Sequence, residues 1–250
     1  MVVGNWKMHG ERAAFAELAA IERAAALARG VDVILCPPST LLTAAAAVAR
    51  HAIIGAQDCH PAPAGAHTGC ISAPMLAEAG ASWVILGHSE AHPRGQRDCV
   101  RLVEQVRSAR RAGLGVILCV GESADRPGVD GDAVADQLAA SLPPDIGDAP
   151  LAIAYEPAWA IGSGQTPRPC EIGAVLDRLR GLAEARLGRG VFGVRFLYGG
   201  SVQAGTLPTI LSVESVDGCL VGGASLREAT FAPILRALTE RCRARRVAES

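Results

Sequence analysis

The sequence predicts a single (β/α)₈ barrel of the α/β class. Short β-rich runs alternate with Ala/Leu/Arg-rich stretches of helical period eight times from end to end. Most of the strand runs are near-continuously apolar, as expected for strands buried on both faces of a parallel sheet. The length, 250 residues, is the usual size of one such barrel. A doubly wound open sheet is the alternative that shares the alternation. No Gly/Ser/Pro linker divides the chain, so residues 1–250 read as one domain.

The elements follow in order. Strand 2–6 runs into Asn5-Trp6-Lys7-Met8-His9-Gly10, and a helical stretch covers 12–28. Strands over 32–36 and 53–57 come next, the second ending in Gln57-Asp58. A helix over 73–79 stops at Gly80 before strand 83–86, and one over 98–112 stops at Gly113 before strand 116–120. Glycine is favoured just past a helix C-terminus, where the chain turns left-handed. Strand 151–155, a helix over 171–187, strands over 194–198 and 216–221, and a helix over 230–245 complete the alternation. The four arginines between Arg241 and Arg246 read as a solvated helix end opposing the negative macrodipole rather than as a nucleic-acid contact.

Composition narrows the class. Half the residues are apolar, one fifth are charged and the net charge is −1, which argues against a disordered chain or a polyanion binder. The eight cysteines are scattered without a Cys-x-x-Cys pair, so neither a disulfide framework nor a structural zinc site is expected. Reduced thiols, the lack of a basic n-region or apolar h-region at the start, and the lack of any apolar run long enough to span a bilayer point to a cytoplasmic protein that binds neither membrane nor nucleic acid. Of the 24 basic residues, 23 are arginine; the one lysine is Lys7.

In a barrel of this kind, chemistry sits on the loops that follow the strands. Unusual polar residues concentrate there: Asn5 and Lys7 after the first strand, Gln57-Asp58 after the third, Gly87-His88-Ser89-Glu90 after the fourth and Gly121-Glu122 after the fifth. Tyr155-Glu156-Pro157 closes the sixth, Gly199-Gly200-Ser201 the seventh and Gly222-Gly223 the eighth. A cation, an imidazole and a carboxylate can therefore converge at one mouth. The glycine turns on adjacent strands seven and eight fit a phosphate cradle, where backbone N–H groups receive an anion and no Cβ blocks the approach.

The segment 157–167 has prolines at both ends, glycines near its tip and a Trp-Ala-Ile centre, which describes a rigid lid on short hinges. A lid beside a carboxylate excludes water and strengthens electrostatics inside the site. There is no Gly-x-Gly-x-x-Gly after a strand and no His-Glu-x-x-His motif, so hydride transfer and metal hydrolysis lack support, and no cofactor or metal is expected. The set suggests proton abstraction α to a carbonyl in a phosphorylated substrate.

Asn5-Trp6-Lys7-Met8, Gly87-His88-Ser89-Glu90, Cys119-Val120-Gly121-Glu122, Ala154-Tyr155-Glu156-Pro157 with Trp159-Ala160-Ile161-Gly162, Tyr198-Gly199-Gly200-Ser201 and Leu220-Val221-Gly222-Gly223 resemble the triosephosphate isomerase family, in the family's order and over essentially the whole chain. The resemblance implies the TIM-barrel fold and the interconversion of dihydroxyacetone phosphate and D-glyceraldehyde 3-phosphate through an enediol(ate), a step of glycolysis and gluconeogenesis. It implies Glu156 as base, His88 as the neutral imidazole that polarises the carbonyl, and Lys7 and Asn5 beside the developing charge. Gly162, Ser201, Gly222 and Gly223 would hold the phosphate, and Glu90 would orient the site near Lys7. The loop 58–72, with Thr68 at its tip, would reach a neighbour's active site in a homodimer.

Several positions depart from the family's usual pattern. Ala91-His92 follows Glu90 where two arginines are common, Cys70 stands at an acidic position, and Gln96 replaces another acid. Losing an arginine together with its carboxylate partners removes an ion-pair network between the dimer loop and the site, so a weaker dimer is expected. Gln165 and Pro167 alter the lid's far hinge, and Thr206 replaces a frequent Asn. Two other readings compete: an isomerase of a four-carbon ketose phosphate with the same catalytic set, and a non-catalytic barrel. The second is opposed by the presence of Asn5, Lys7, His88 and Glu156 together.

Overall fold

The computed structural model describes residues 1–91, 98–123, 128–146, 150–161, 163 and 165–248. Eight parallel strands close on themselves in chain order: β1 (Val2–Asn5), β2 (Val33–Cys36), β3 (Ile53–Ala56), β4 (Trp83–Leu86), β5 (Gly115–Val120), β6 (Leu151–Tyr155), β7 (Arg195–Tyr198) and β8 (Gly218–Val221). Closure is made by β8 against β1, with Cys219 opposite Val2 and Val221 opposite Gly4. An open doubly wound sheet would leave these two strands as edges, so that alternative is excluded.

The apolar strand runs divide by alternation. Val3, Ile34, Cys36, Ile85, Ile117, Cys119, Ala152, Ala154, Leu197 and Leu220 fill the barrel interior with Met1 and Trp83. Their neighbours, such as Val2, Leu35, Val84, Leu118, Ile153 and Phe196, face outward against the helices. Both sets are buried, which is why the strands read as continuous apolar runs and not as alternating ones. Close approach of β8 to β1 requires Gly218, whose Cβ would lie 1.8 Å from the Met1 carbonyl oxygen.

The helices are α1 (Phe15–Leu27), α2 (Ser39–Val48), α3 (Ala73–Glu78), α4 (Cys99–Arg111), α5 (Gly131–Ser141), α6 (Pro169–Leu187), α7 (Leu207–Leu211) and α8 (Glu228–Ala248). Asp98 and Asp130 cap α4 and α5, accepting from the Arg101 and Ala133 N–H groups at 2.9 and 3.1 Å. Gly80 and Gly113 stand two residues past α3 and α4 with φ of +98° and +78°, the left-handed turn the sequence predicts there.

Element ends differ from the sequence expectation by a few residues. α6 begins at Pro169 instead of 171, because proline fits the first turn and the Glu171 carboxylate accepts from the Arg168 N–H at 2.8 Å. β8 begins at Gly218 instead of 216, since the Asp217 carboxylate turns back to accept from the Phe196 N–H at 2.9 Å. The C-terminal arginines are partly committed to the protein itself. Arg241 and Arg245 each donate at 2.7 Å, to the carbonyls of Val213 and Glu214. None of the eight cysteines forms a disulfide. Among the described residues no helix is long and apolar enough to cross a membrane.

Candidate active site

The C-terminal ends of β1, β4, β6, β7 and β8 surround a cavity of about 490 Å³. Asn5, Lys7, His88, Glu156, Ser201, Gly222 and Gly223 all line it, joined by Ile161, Ser163 and Leu220. Of the residues singled out in the sequence, Gly162 lies outside the described residues, as do His92 and Gln96.

β6 ends one residue before Glu156, whose N–H still donates to the Val120 carbonyl at 2.7 Å. That bond carries the ladder one rung further and turns the carboxylate inward, where Glu156 is 1% exposed. Oε1 lies 3.1 Å from His88 Nε2, and Oε2 accepts from the Ser89 N–H at 3.3 Å. Two glycines make room for this residue. A Cβ on Gly121 would sit 1.8 Å from the Glu156 carbonyl oxygen, and one on Gly199 would sit 2.9 Å from its Cγ.

His88 follows β4 and opens a short 3-10 turn, Ser89–Ala91. The Glu90 N–H of that turn points at His88 Nδ1 from 3.2 Å. Nδ1 accepts from that N–H, which leaves Nε2 to donate toward Glu156 Oε1 in the cavity. Ser89 has no residue-type signal for its part here, because it acts through its backbone.

Lys7 is the only non-glycine among the described residues with positive φ, at +53°. Its N–H donates to Asn5 Oδ1 at 2.9 Å, which leaves the Asn5 amide nitrogen to donate into the cavity. Its ammonium lies 2.6 Å from Glu90 Oε1. Its Cε runs beside Gly222, where a Cβ would lie 3.2 Å away. Gly223 opens a second 3-10 turn, Gly223–Ser225, and a Cβ there would meet nothing within 4 Å. The turn after β7 is closed by Thr206, whose hydroxyl donates to the Ser201 carbonyl at 2.8 Å and accepts from the Gln203 N–H at 3.1 Å. Thr206 thus completes that loop at the position where Asn is frequent.

Behind the site, the Tyr155 hydroxyl bridges both oxygens of Glu122 at 3.1 Å. Burial pushes the Glu122 carboxyl above its usual range, and burial beside that carboxylate pushes the Tyr155 phenol up as well. Among the described residues, Trp159 Nε1 is buried near the segment 157–167 without a hydrogen-bond partner, while the Tyr198 hydroxyl is set against the Thr166 side chain. No cluster of three or more potential metal ligands occurs among the described residues.

The arrangement offers a buried carboxylate, an imidazole donor, an ammonium and a carboxamide around one space, with exposed glycine backbone on the side of β7 and β8. The sequence model of the Triosephosphate isomerase family matches residues 1–238. The chain is 52% identical over 245 residues to a triosephosphate isomerase of Dinoroseobacter shibae, covering 95% of this chain and 98% of that protein. It is 48% identical to the Ruegeria pomeroyi protein of the same name, with coverages of 96% and 97%. The crystal structure of triosephosphate isomerase from Bartonella henselae superposes with a TM-score of 0.86 at 35% identity, covering 96% of this chain and 98% of that one. With fold, cavity and likeness in agreement along nearly its whole length, the chain belongs to the triosephosphate isomerase family.

Proposed function

We propose that Glu156, His88, Lys7 and Asn5 carry out, in this chain, the interconversion of dihydroxyacetone phosphate and D-glyceraldehyde 3-phosphate. Glu156 removes a proton from C1 of the ketose, the enediol(ate) forms, and the same carboxyl returns a proton to C2. His88 donates from Nε2 to the carbonyl oxygen as negative charge develops there. Lys7 and the Asn5 amide face the same charge, and such a preorganised contact is typically worth about 3–4 kcal/mol of barrier. Ser201, Gly222, Gly223 and Gly162 receive the phosphate through backbone N–H groups, with Ile161 and Ser163 on the lid side.

The observation that carries this reading is the pairing of His88 Nε2 with Glu156 Oε1 inside the cavity that Lys7 also lines. A carboxylate and an imidazole donor brought together from different strands supply the proton acceptor and the electrophile the reaction needs. A coupled isomerase assay on wild type and Glu156→Gln tests it. Turnover in the variant is expected to fall by about 10²–10⁴; normal turnover would remove Glu156 as the base.

We also propose a homodimer through the loop 58–72 and a cytoplasmic enzyme folded as one domain over residues 1–250. Thr68 is exposed on that loop, and Met8, Met75 and Val100 are 95%, 53% and 79% exposed, which supports a partner surface near the mouth. Ala91 and Cys70 leave the loop without the family's ion pairs, so the dimer is expected to dissociate on dilution. Sedimentation across a concentration series reads this directly; a dimer persisting at nanomolar protein would overturn the expected weakness.

A further inference from the structure

The flank of the barrel holds a second cavity, an open groove of about 440 Å³ between α1 and α8. These helices are neighbours because β8 closes on β1, and both run back along a parallel sheet, so they point the same way. The Glu17 carboxylate joins them at the upper end, accepting from the Glu228 N–H at 2.9 Å. Below that bond the floor is made by Ala20 and Ala24 of α1, Ala28 just past its end, and Ala232 and Leu235 of α8. Alanines four residues apart share one helix face and are too short to interdigitate with the facing helix, so a trough remains. Leu27 stands at its side and is 77% exposed.

The charges along the groove are ordered. Measured from the Glu17–Glu228 bond at about 1.5 Å per residue, Arg23 lies about 9 Å down α1 and Arg236 about 12 Å down α8. The two arginines therefore stand within a turn of each other on opposite walls, with Glu228 at the upper end and Glu240 at the lower. Neither guanidinium has a hydrogen bond or an ion pair among the described residues. Glu240 is one turn beyond Arg236, but a base placed N-terminal to its acid is the weaker order on a helix. An apolar trough thus has two unpartnered cations at its middle and a carboxylate at each end.

That order selects an occupant. A polyanion laid along the groove meets a glutamate at each end, and a cation on its floor meets the arginines. One anionic group at the middle, with an apolar chain along the alanines, satisfies both. A carboxylate has two oxygens and can take a guanidinium from each wall. We propose that the α1–α8 groove binds a monocarboxylate amphiphile of the fatty-acid class, its carboxylate between Arg23 and Arg236 and its acyl chain on the alanine floor against Leu27. The groove has the size of a small-molecule site, for which about 300–1,000 Å³ is usual. It shares no residue with the mouth that Glu156 and His88 line.

Octanoate is the probe, titrated into ¹⁵N-labelled protein and followed by the shifts of the amide resonances. One saturable site is expected, with Kd of about 1 mM or tighter. Octanol and octyltrimethylammonium keep the chain, but one lacks the charge and the other reverses it. Each is expected to bind at least about tenfold more weakly. The double variant Arg23→Gln/Arg236→Gln changes two exposed positions and is expected to lose about tenfold or more in octanoate affinity. Ala24→Met fills the floor and keeps both arginines; it is expected to lose affinity by a similar factor, and is read alone if the double variant does not fold. No saturation by about 10 mM octanoate overturns the inference. So does equal binding of either analogue, or an octanoate affinity unchanged in either folded variant.

Discussion

His88 Nε2 and Glu156 Oε1 lie 3.1 Å apart, so the proposed base rests on the donor that is to polarise the substrate. Both partners are nearly inaccessible to solvent, with side-chain exposures of 8% and 1%. Substrate must therefore take over the Nε2 proton and release the carboxylate toward carbon in one exchange. Geometry at this point is sensitive, since a displacement of about 1 Å in a reacting group costs about 10²-fold in rate. Glu156→Asp withdraws the carboxylate by one methylene from His88 and Ser89. A fall in kcat of about 10²-fold with KM changed less than fivefold is expected; steady-state kinetics in both directions measure it.

Lys7→Arg tests whether charge alone is needed at that position. The ammonium fits between Glu90 Oε1 at 2.6 Å and the open face of Gly222. A guanidinium is planar, bulkier and less strongly hydrated, and its fork cannot occupy the same point. The variant is expected to keep its fold and to lose at least about 10²-fold in kcat/KM, roughly the value of one preorganised contact. An arginine variant within a few-fold of wild type would show that any cation suffices.

Gly121→Ala places a methyl where the Glu156 carbonyl oxygen already stands, 1.8 Å from an ideal Cβ. Backbone has to move, and the bond that moves is the one that aims the base. Overpacking of this kind costs about 3 kcal/mol or more in a tight interior. Denaturant unfolding should report that loss together with a drop in kcat, because one displacement causes both.

Glu122 gives a pH prediction with a definite sign. Its folded carboxyl is raised by burial above the ordinary glutamate range, so the folded state holds the proton to higher pH than the unfolded chain does. Its contribution to stability is fully present below the unfolded value and declines as pH rises through the folded one. Glu122→Gln removes that decline. Relative to wild type, the variant should become more favourable as pH is raised from 4 to 7, on top of a constant cost for its altered hydrogen bonds. Urea melts at several pH values in that window measure the slope; a parallel offset at all pH values would sink the prediction.

Much of this molecule was legible in the chain because strand interiors and strand ends speak different languages. Interiors such as 83–86 and 151–155 match the observed strands end to end, since burial on both faces leaves no room for a polar residue. A Gly-Gly or a lone lysine at a strand end interrupts that rule and marks the rim. Element ends were less legible: proline at 169 and the turned-back Asp217 shift them through single hydrogen bonds that composition does not encode.

The sequence by itself determined the eightfold alternation, the apolar barrel and which side chains stand at the strand ends. Closure of β8 on β1 was a tertiary decision, because the same alternation also builds an open sheet. So was the state of the site. The Ser89 N–H on Glu156, the Glu90 N–H on His88 and the Gln57 amide on the Lys7 carbonyl each join segments or backbone groups whose meeting no residue type announces. Local sequence fixes what a residue can donate or accept. Only the folded barrel fixes which partner lies within 3 Å, and the chemistry depends on that distance.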